Sequence, residues 1–397
     1  MNKKRKLTLR DFTNHKTWRA KAIWIGLGAL TLLIRLIFAA NPNLTESVYS
    51  RGIFQVIRFF LDYTIGLIPI ATLYLIAAAA AFSLVLIILK RIKKGKKIKE
   101  KKTWPARILG GVLSSAAFFG AAIFIFHFIW GFNYQRLAVE DHLKINVEPL
   151  NMDGIRKEAN IAFTMLTAAR KDIPGASEAA LDSSFIPQGL ESRIRNDLKN
   201  VLISMGYPAP GRVRARKIWP AGLLMHFGIS GIYFLFTGEA YLPANLIAVA
   251  MPFTMAHEMA HGFGFTEEGA ANFLAYLACI SSKDPVVRYS GCLNYFSYIS
   301  SELFNASREE YRTMMKKLPR GIIADRRALF EYWERYRSRL MAIAEEVNDV
   351  YLKSQGVKEG VKSYSRMVIL AAAWRATSGE SAAWGSPPVG VRTQTGN

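Results

Sequence analysis

The sequence predicts a mainly α chain, with three N-terminal transmembrane helices followed by an extracytoplasmic α+β domain that contains a small sheet. Three observations predict it. Three apolar runs have the length of a bilayer crossing, the basic residues crowd around those runs, and after residue 130 the pattern changes to that of a water-facing domain. A length of 397 residues with 51% hydrophobic composition leaves room for both parts.

The runs cover residues 22–40, 63–89 and 108–130. A hydrocarbon core of about 30 Å needs about 20 residues of helix, so each is long enough to span. The second and third contain no Asp, Glu, Lys or Arg, and the first contains only Arg35, close enough to its end to snorkel. Residues 1–107 hold 21 of the 52 Lys+Arg and 4 of the 30 Asp+Glu, so +17 of the formal net charge of +22 belongs to the N-terminal quarter. Eight basic residues precede the first run and ten occupy 90–107, whereas 41–62 holds only Arg51 and Arg58. Because positive loops stay inside, the basic N-terminus (1–21) and the 90–107 loop are expected in the cytoplasm, and the chain beyond 130 outside. Nucleic acid is not an expected partner, since the basic residues flank apolar runs instead of interleaving with aromatic platforms. The first run reads as an uncleaved anchor, because Ile37 or Phe38 would occupy the position three before a cut. Trp130, Phe132 and Tyr134 suit an outer aromatic belt, and His127 reads as a packed or interfacial histidine.

From residue 131 the chain reads as one domain to 376. Helical spacing of Ile155, Ala159, Ala162, Met165 and Leu166 predicts a helix over 151–171, and 190–205 reads similarly. Between 212 and 242 the stretches RVRARKIW, GLLMHFGI and GIYFLFTGEAYL predict two or three short strands, with His226 a strand histidine. A helix over 243–262 follows, which Gly262 and Gly264 can stop. Thr266 and Asp284 are positioned to cap the next two helices. Further helices are expected over 307–317, 320–351 and 360–375, and 377–397 as a disordered tail. Cys279 and Cys292 lie in apolar helical contexts and read as two buried thiols, with one disulfide between them the alternative in an oxidising compartment.

Chemistry concentrates in His257-Glu258-Met259-Ala260-His261. On a helix, residues four apart stack on one face, so two imidazoles can bind one metal from a single side. This is the HExxH pattern of zinc peptidases, in which the glutamate moves protons as general base and then acid. A third protein ligand is needed. Glu268, seven residues after His261, is the stronger candidate because Asn272 one turn on could accept the Nδ1 proton of a ligating histidine. Glu267, at the spacing of HExxHxxGxx with Gly264 as its glycine, is the alternative. Glu239 is a candidate for the strand along which an extended peptide would pair.

Several segments in order carry a wider resemblance: NPNLTESVYSRGIF, WGFNYQR, GISGIYFLFTGEA, HEMAHGFGFTEEGAANFLAYLAC, RYSGCLNY and YLKSQGVKEGVKSYSRMV. Over most of its length the chain resembles a bacterial group of uncharacterised membrane proteins, domain of unknown function 3810, with a zincin-like motif. The resemblance implies a zincin-like, gluzincin-type domain. His257, His261 and Glu268 match as zinc ligands, Glu258 as base and Asn272 as the supporting residue. Members usually carry a second acidic residue two positions after the Glu268 equivalent, where this chain has Ala270. Tyr289, Arg288 and Tyr364 lie in matching segments and are candidate oxyanion or substrate contacts. The expected function is a Zn2+-dependent metallopeptidase anchored by several passes in a bacterial cytoplasmic (inner) membrane. Its partners would be the lipid bilayer and a peptide or protein substrate on the outer, periplasmic side. The alternative expectation is a non-catalytic zincin-like module that binds or scaffolds envelope components.

Overall fold

The computed structural model describes residues 15–93, 104–355 and 366–378. Tyr364, most of the basic 90–107 loop, and all but the first two residues of the expected tail lie outside the described residues. The chain divides into two compact units: Met1–Tyr49 with Leu73–Arg136, and Ser50–Thr72 with Leu137–Asn397. Segment Ser50–Thr72, between the first two apolar helices in sequence, thus groups with the C-terminal unit, a division that hydropathy alone did not indicate.

The first unit holds three helices long and apolar enough to cross a membrane, over Trp18–Ala40, Thr72–Lys90 and Ile108–Ile129. Leu33, Leu36, Phe82 and Phe118 are among the many apolar side chains left exposed along them, which marks a membrane protein. Helices His15–Ala40 and Trp104–Ile129 pack against each other. Gly28 and Gly120 permit this approach, since a Cβ added to Gly28 would stand 2.5 Å from the Gly120 Cα. Past the membrane helices, Arg136 grips Glu46 through two hydrogen bonds of 3.0 and 2.9 Å. Trp130 and Phe132 are buried, so they do not form the expected belt; Phe132 sits edge-on to Phe38 and Tyr49.

The second membrane helix starts at Thr72, nine residues later than the apolar run. Residues 63–71 carry no charge, but Pro69 lacks the N–H a helix would use. Here the carbonyls of Gly66, Ile68 and Pro69 accept hydrogen bonds from the Arg216 guanidinium. This partner comes from another part of the chain and is invisible to a hydropathy count.

The second unit is built on two consecutive helices, Met251–Gly262 and Glu268–Ile280, each apolar around most of its circumference and buried along nearly its whole length. Helices Leu190–Ser204, Pro285–Ala306 and Arg366–Ser378 pack around the pair, and Met152–Lys171 packs on Pro285–Ala306. A mixed sheet covers one side of the first of these helices, with order β1-β3-β2 for β1 (Arg214–Ile218), β2 (Ile232–Phe234) and β3 (Glu239–Pro243). β1 runs parallel to the central β3 and β2 antiparallel, leaving β2 as an edge. GLLMHFGI is not a strand: Gly222–Met225 forms a helical turn ended by Gly228 at φ +73°, and His226 caps it. The expected 320–351 helix is two, Arg320–Glu334 and Arg339–Gln355. Ser338 holds the break by donating to the His226 carbonyl at 2.6 Å and accepting the Met341 N–H. Helix Met251–Gly262 begins eight residues later than expected, because Pro243 still pairs in β3.

Cys279 and Cys292 are both buried free thiols. Gly291 makes their helices' contact possible, for a Cβ there would stand 2.5 Å from the Cys279 Cβ. Gly291→Ala is expected to destabilise the protein by about 1–3 kcal/mol, the usual range for overpacking a filled core. Thermal unfolding in detergent would show it as a lowered midpoint; an unchanged midpoint would contradict this packing.

Candidate metal centre

The site forms where helix Met251–Gly262 stops and the chain turns back. Gly264, at φ +88°, ends the helix in a conformation costly for other residues. Glu267 then caps the next helix, accepting the N–H groups of Gly269 and Ala270 at 2.9 and 2.6 Å. That puts Glu268 on the first turn of the returning helix, facing the histidines. His257 Nε2 lies 3.1 Å from His261 Nε2 and 3.1 Å from Glu268 Oε2, and His261 Nε2 lies 3.4 Å from the same oxygen. Among the described residues these three form a cluster able to hold a metal ion.

The donor set fits zinc. Ligands around a tetrahedral zinc with bonds of about 2.0–2.1 Å stand about 3.3 Å apart, and two imidazoles with one carboxylate leave a fourth position open. The observed edges of 3.1, 3.1 and 3.4 Å match that spacing. His261 Nδ1 donates to the Phe265 carbonyl at 2.7 Å, which leaves its Nε2 lone pair for a cation. The Phe265 carbonyl thus serves His261 in the role expected of Asn272. Asn272 is buried on the returning helix, and its amide nitrogen donates to the Tyr298 hydroxyl at 3.4 Å.

Electrostatics express the same arrangement. Burial alone would lower the His261 pKa, but the Glu268 carboxylate, through charge and hydrogen bonding, pushes it up to about 9. Burial alone would raise Glu268, yet the His261 and His257 imidazoles hold it well below the ordinary carboxylate range. A proton held among three donors is what a divalent cation replaces on binding.

Glu258 is set apart from this triangle. Burial raises its pKa, the charges of both histidines lower it, and Glu268 raises it. The Tyr233 backbone N–H on β2 donates to its carboxylate. Gly231 makes room, since a Cβ there would lie 2.7 Å from Glu258 Cγ and Oε1. A buried carboxyl with a raised pKa, held beside a cluster able to bind a cation, has the properties of a general base that can later act as acid.

The other expected residues lie elsewhere in the fold. Glu267 is committed to its cap and to an ion pair with Arg366 at 3.5 Å, and it takes no part in the three-donor cluster. Ala270 lies in the apolar core. Tyr289 donates to Asp325 at 2.7 Å, and Asp325 also binds Arg170 and the Leu181 N–H, so the Tyr289 hydroxyl is engaged in a buried structural network. Arg288 is likewise structural, binding the Ser282 and Lys283 carbonyls and pairing with Asp172. Glu239 is fully buried on the central strand, accepting from Arg216, Tyr241 and the Thr72 N–H; that strand is paired on both sides, and β1 and β2 are the sheet's edges. Tyr298, Gly231 and the backbone groups of Tyr233 and Phe265 escaped the sequence reading. Backbone donors and acceptors carry no residue signature, and only the spacing of Gly231 within GISGIYF could have hinted at a close approach.

Fold and site together define a membrane protein whose helical C-terminal unit brings two buried histidines and a partly buried carboxylate to metal-binding distance beside a further, buried glutamate. The chain belongs to the family described as Protein of unknown function (DUF3810), which matches residues 49–372. No curated protein and no solved structure matches it.

Proposed function

We propose that the chain is a membrane-anchored, zincin-like metallopeptidase of the gluzincin type that hydrolyses peptide bonds outside the cytoplasmic membrane. The observation that carries this reading is the triangle of His257 Nε2, His261 Nε2 and Glu268 Oε2, with edges of 3.1–3.4 Å and Glu258 beside it. Those three side chains would hold Zn2+, which when bound supplies Lewis acidity toward a carbonyl and toward water. Glu258 takes a proton on its buried carboxylate and returns it to the leaving amine. The Tyr233 N–H aims that carboxylate, and the backbone of β2 offers an edge on which an extended peptide can pair. Burial of the two histidines and Glu258, with Glu268 only 12% exposed, limits water and strengthens each charge interaction.

Sidedness is part of this proposal and has two supports. Two apolar helices lie between Ser50–Thr72 and the chain from Leu137, as an even number of crossings requires for segments on one side. The ten basic residues of 90–107 favour the cytoplasm for the loop between those helices, and hence the outside for the C-terminal unit. The test is the zinc content of the purified full-length protein together with its activity on a mixed peptide library. About one zinc per chain with peptide hydrolysis is expected. Absence of both would overturn the reading and leave a binding or scaffold module.

A further inference from the structure

Helix Phe54–Tyr63 is amphipathic in the reverse sense. Its buried side carries charge: Arg58 and Asp62 are 1% and 2% exposed and paired with each other. Arg58 also donates to the Tyr233 hydroxyl at 2.9 Å and the Gly238 carbonyl at 3.0 Å, while Asp62 accepts the Arg212 N–H. Its outward side is apolar. Val56, Phe59, Phe60 and Tyr63 are 71%, 57%, 64% and 48% exposed, and their spacing of three, four and seven places them on one face. They are the fully outward positions of the helix, and none carries a charge. Leu67 and Ile70, in the segment that leads to Thr72, are likewise exposed and apolar.

A water-facing helix places its charges outward, whereas one lying at a bilayer surface buries an apolar face among headgroups and acyl chains. We propose that Phe54–Tyr63 is an interfacial helix whose Val56, Phe59, Phe60 and Tyr63 face rests in the outer lipid surface, seating the C-terminal unit on the bilayer. Continuity of the chain with the membrane helix at Thr72 identifies lipid as the occupant, because only eight residues, 64–71, lie between Tyr63 and it. Three of the four side chains are aromatic, the type that settles at headgroup depth. This inference does not depend on the peptidase reading.

The test uses the full chain in nanodiscs of phosphatidylethanolamine and phosphatidylglycerol. Val56→Cys, Phe59→Cys, Phe60→Cys and Tyr63→Cys are spin-labelled one at a time, the native Cys279 and Cys292 being buried. Arg320→Cys, at a side chain 82% exposed, is the water-facing control. Oxygen is expected to collide with the four labels more often than a water-soluble nickel chelate does, with the order reversed at 320. Nickel access at 56, 59 and 60 equal to that at 320 would overturn the proposal. Dipolar broadening that disappears on dilution with unlabelled protein would also overturn it, by showing that a second copy covers the face. Hydroxyl-radical footprinting of the unsubstituted chain repeats the test without a label: Phe59, Phe60 and Tyr63 should be protected in nanodiscs while Phe330, 65% exposed, is modified. Equal modification of all four would count against the interfacial helix.

Discussion

Under the proposed zinc-binding reading, Glu268→Ala is expected to abolish zinc binding, while Glu267→Ala keeps it. The two glutamates are adjacent, yet the first helical turn gives them different work. Glu268 Oε2 stands 3.1 and 3.4 Å from the two imidazoles, whereas Glu267 spends its oxygens on the N–H groups of Gly269 and Ala270. Removing Glu268 deletes one of the three proposed ligands, the carboxylate that both imidazole nitrogens face. The loss of affinity should exceed the roughly 10–100-fold that follows loss of an outer hydrogen bond. Removing Glu267 should cost about 1 kcal/mol of stability, as for a lost helix cap, and leave the zinc stoichiometry unchanged. Metal analysis after dialysis against a weak chelator reads the first effect and thermal unfolding the second. Free zinc at about 100-fold over its dissociation constant should stabilise the unsubstituted chain by about 2.7 kcal/mol and Glu268→Ala by nothing. Full zinc in Glu268→Ala, or its loss in Glu267→Ala, would sink the ligand assignment.

Glu258→Gln is expected to retain zinc and lose peptide hydrolysis. The amide is nearly isosteric, and its oxygen can still accept the Tyr233 N–H, so the packing against Gly231 survives. What it cannot do is take a proton and return it. A rate lower by about 10²–10⁴ is the usual effect of removing a general acid–base group. The decisive comparison is kcat at matched zinc content, because a folding defect would lower both together. Turnover at the unsubstituted rate would mean that Glu258 is a packed buried carboxyl with no catalytic part.

The legible half of the molecule was the half governed by local rules. Three apolar runs needed only length and hydropathy, and the first and third lie within a few residues of the helices observed. HEMAH needed only the helical repeat, which places positions 257 and 261 on one face wherever that helix packs. Two buried thiols followed from their apolar surroundings. Errors entered where partners distant in sequence decide. The stretch 63–71 looks as apolar as the helix after it, but Arg216 on β1 takes its carbonyls. GLLMHFGI has the composition of a strand, yet Gly228 closes it as a helical turn.

Sequence by itself determined the membrane helices, the helix that carries the motif and the pair of imidazoles, because hydropathy and a repeat of 3.6 residues act within a few positions of the chain. Only the tertiary structure decided which of two adjacent glutamates meets those imidazoles, that β2 supplies the amide holding Glu258, and that 50–72 belongs with the C-terminal unit. Each of these depends on where the chain returns after a turn, and a return is fixed by the packing of the whole unit.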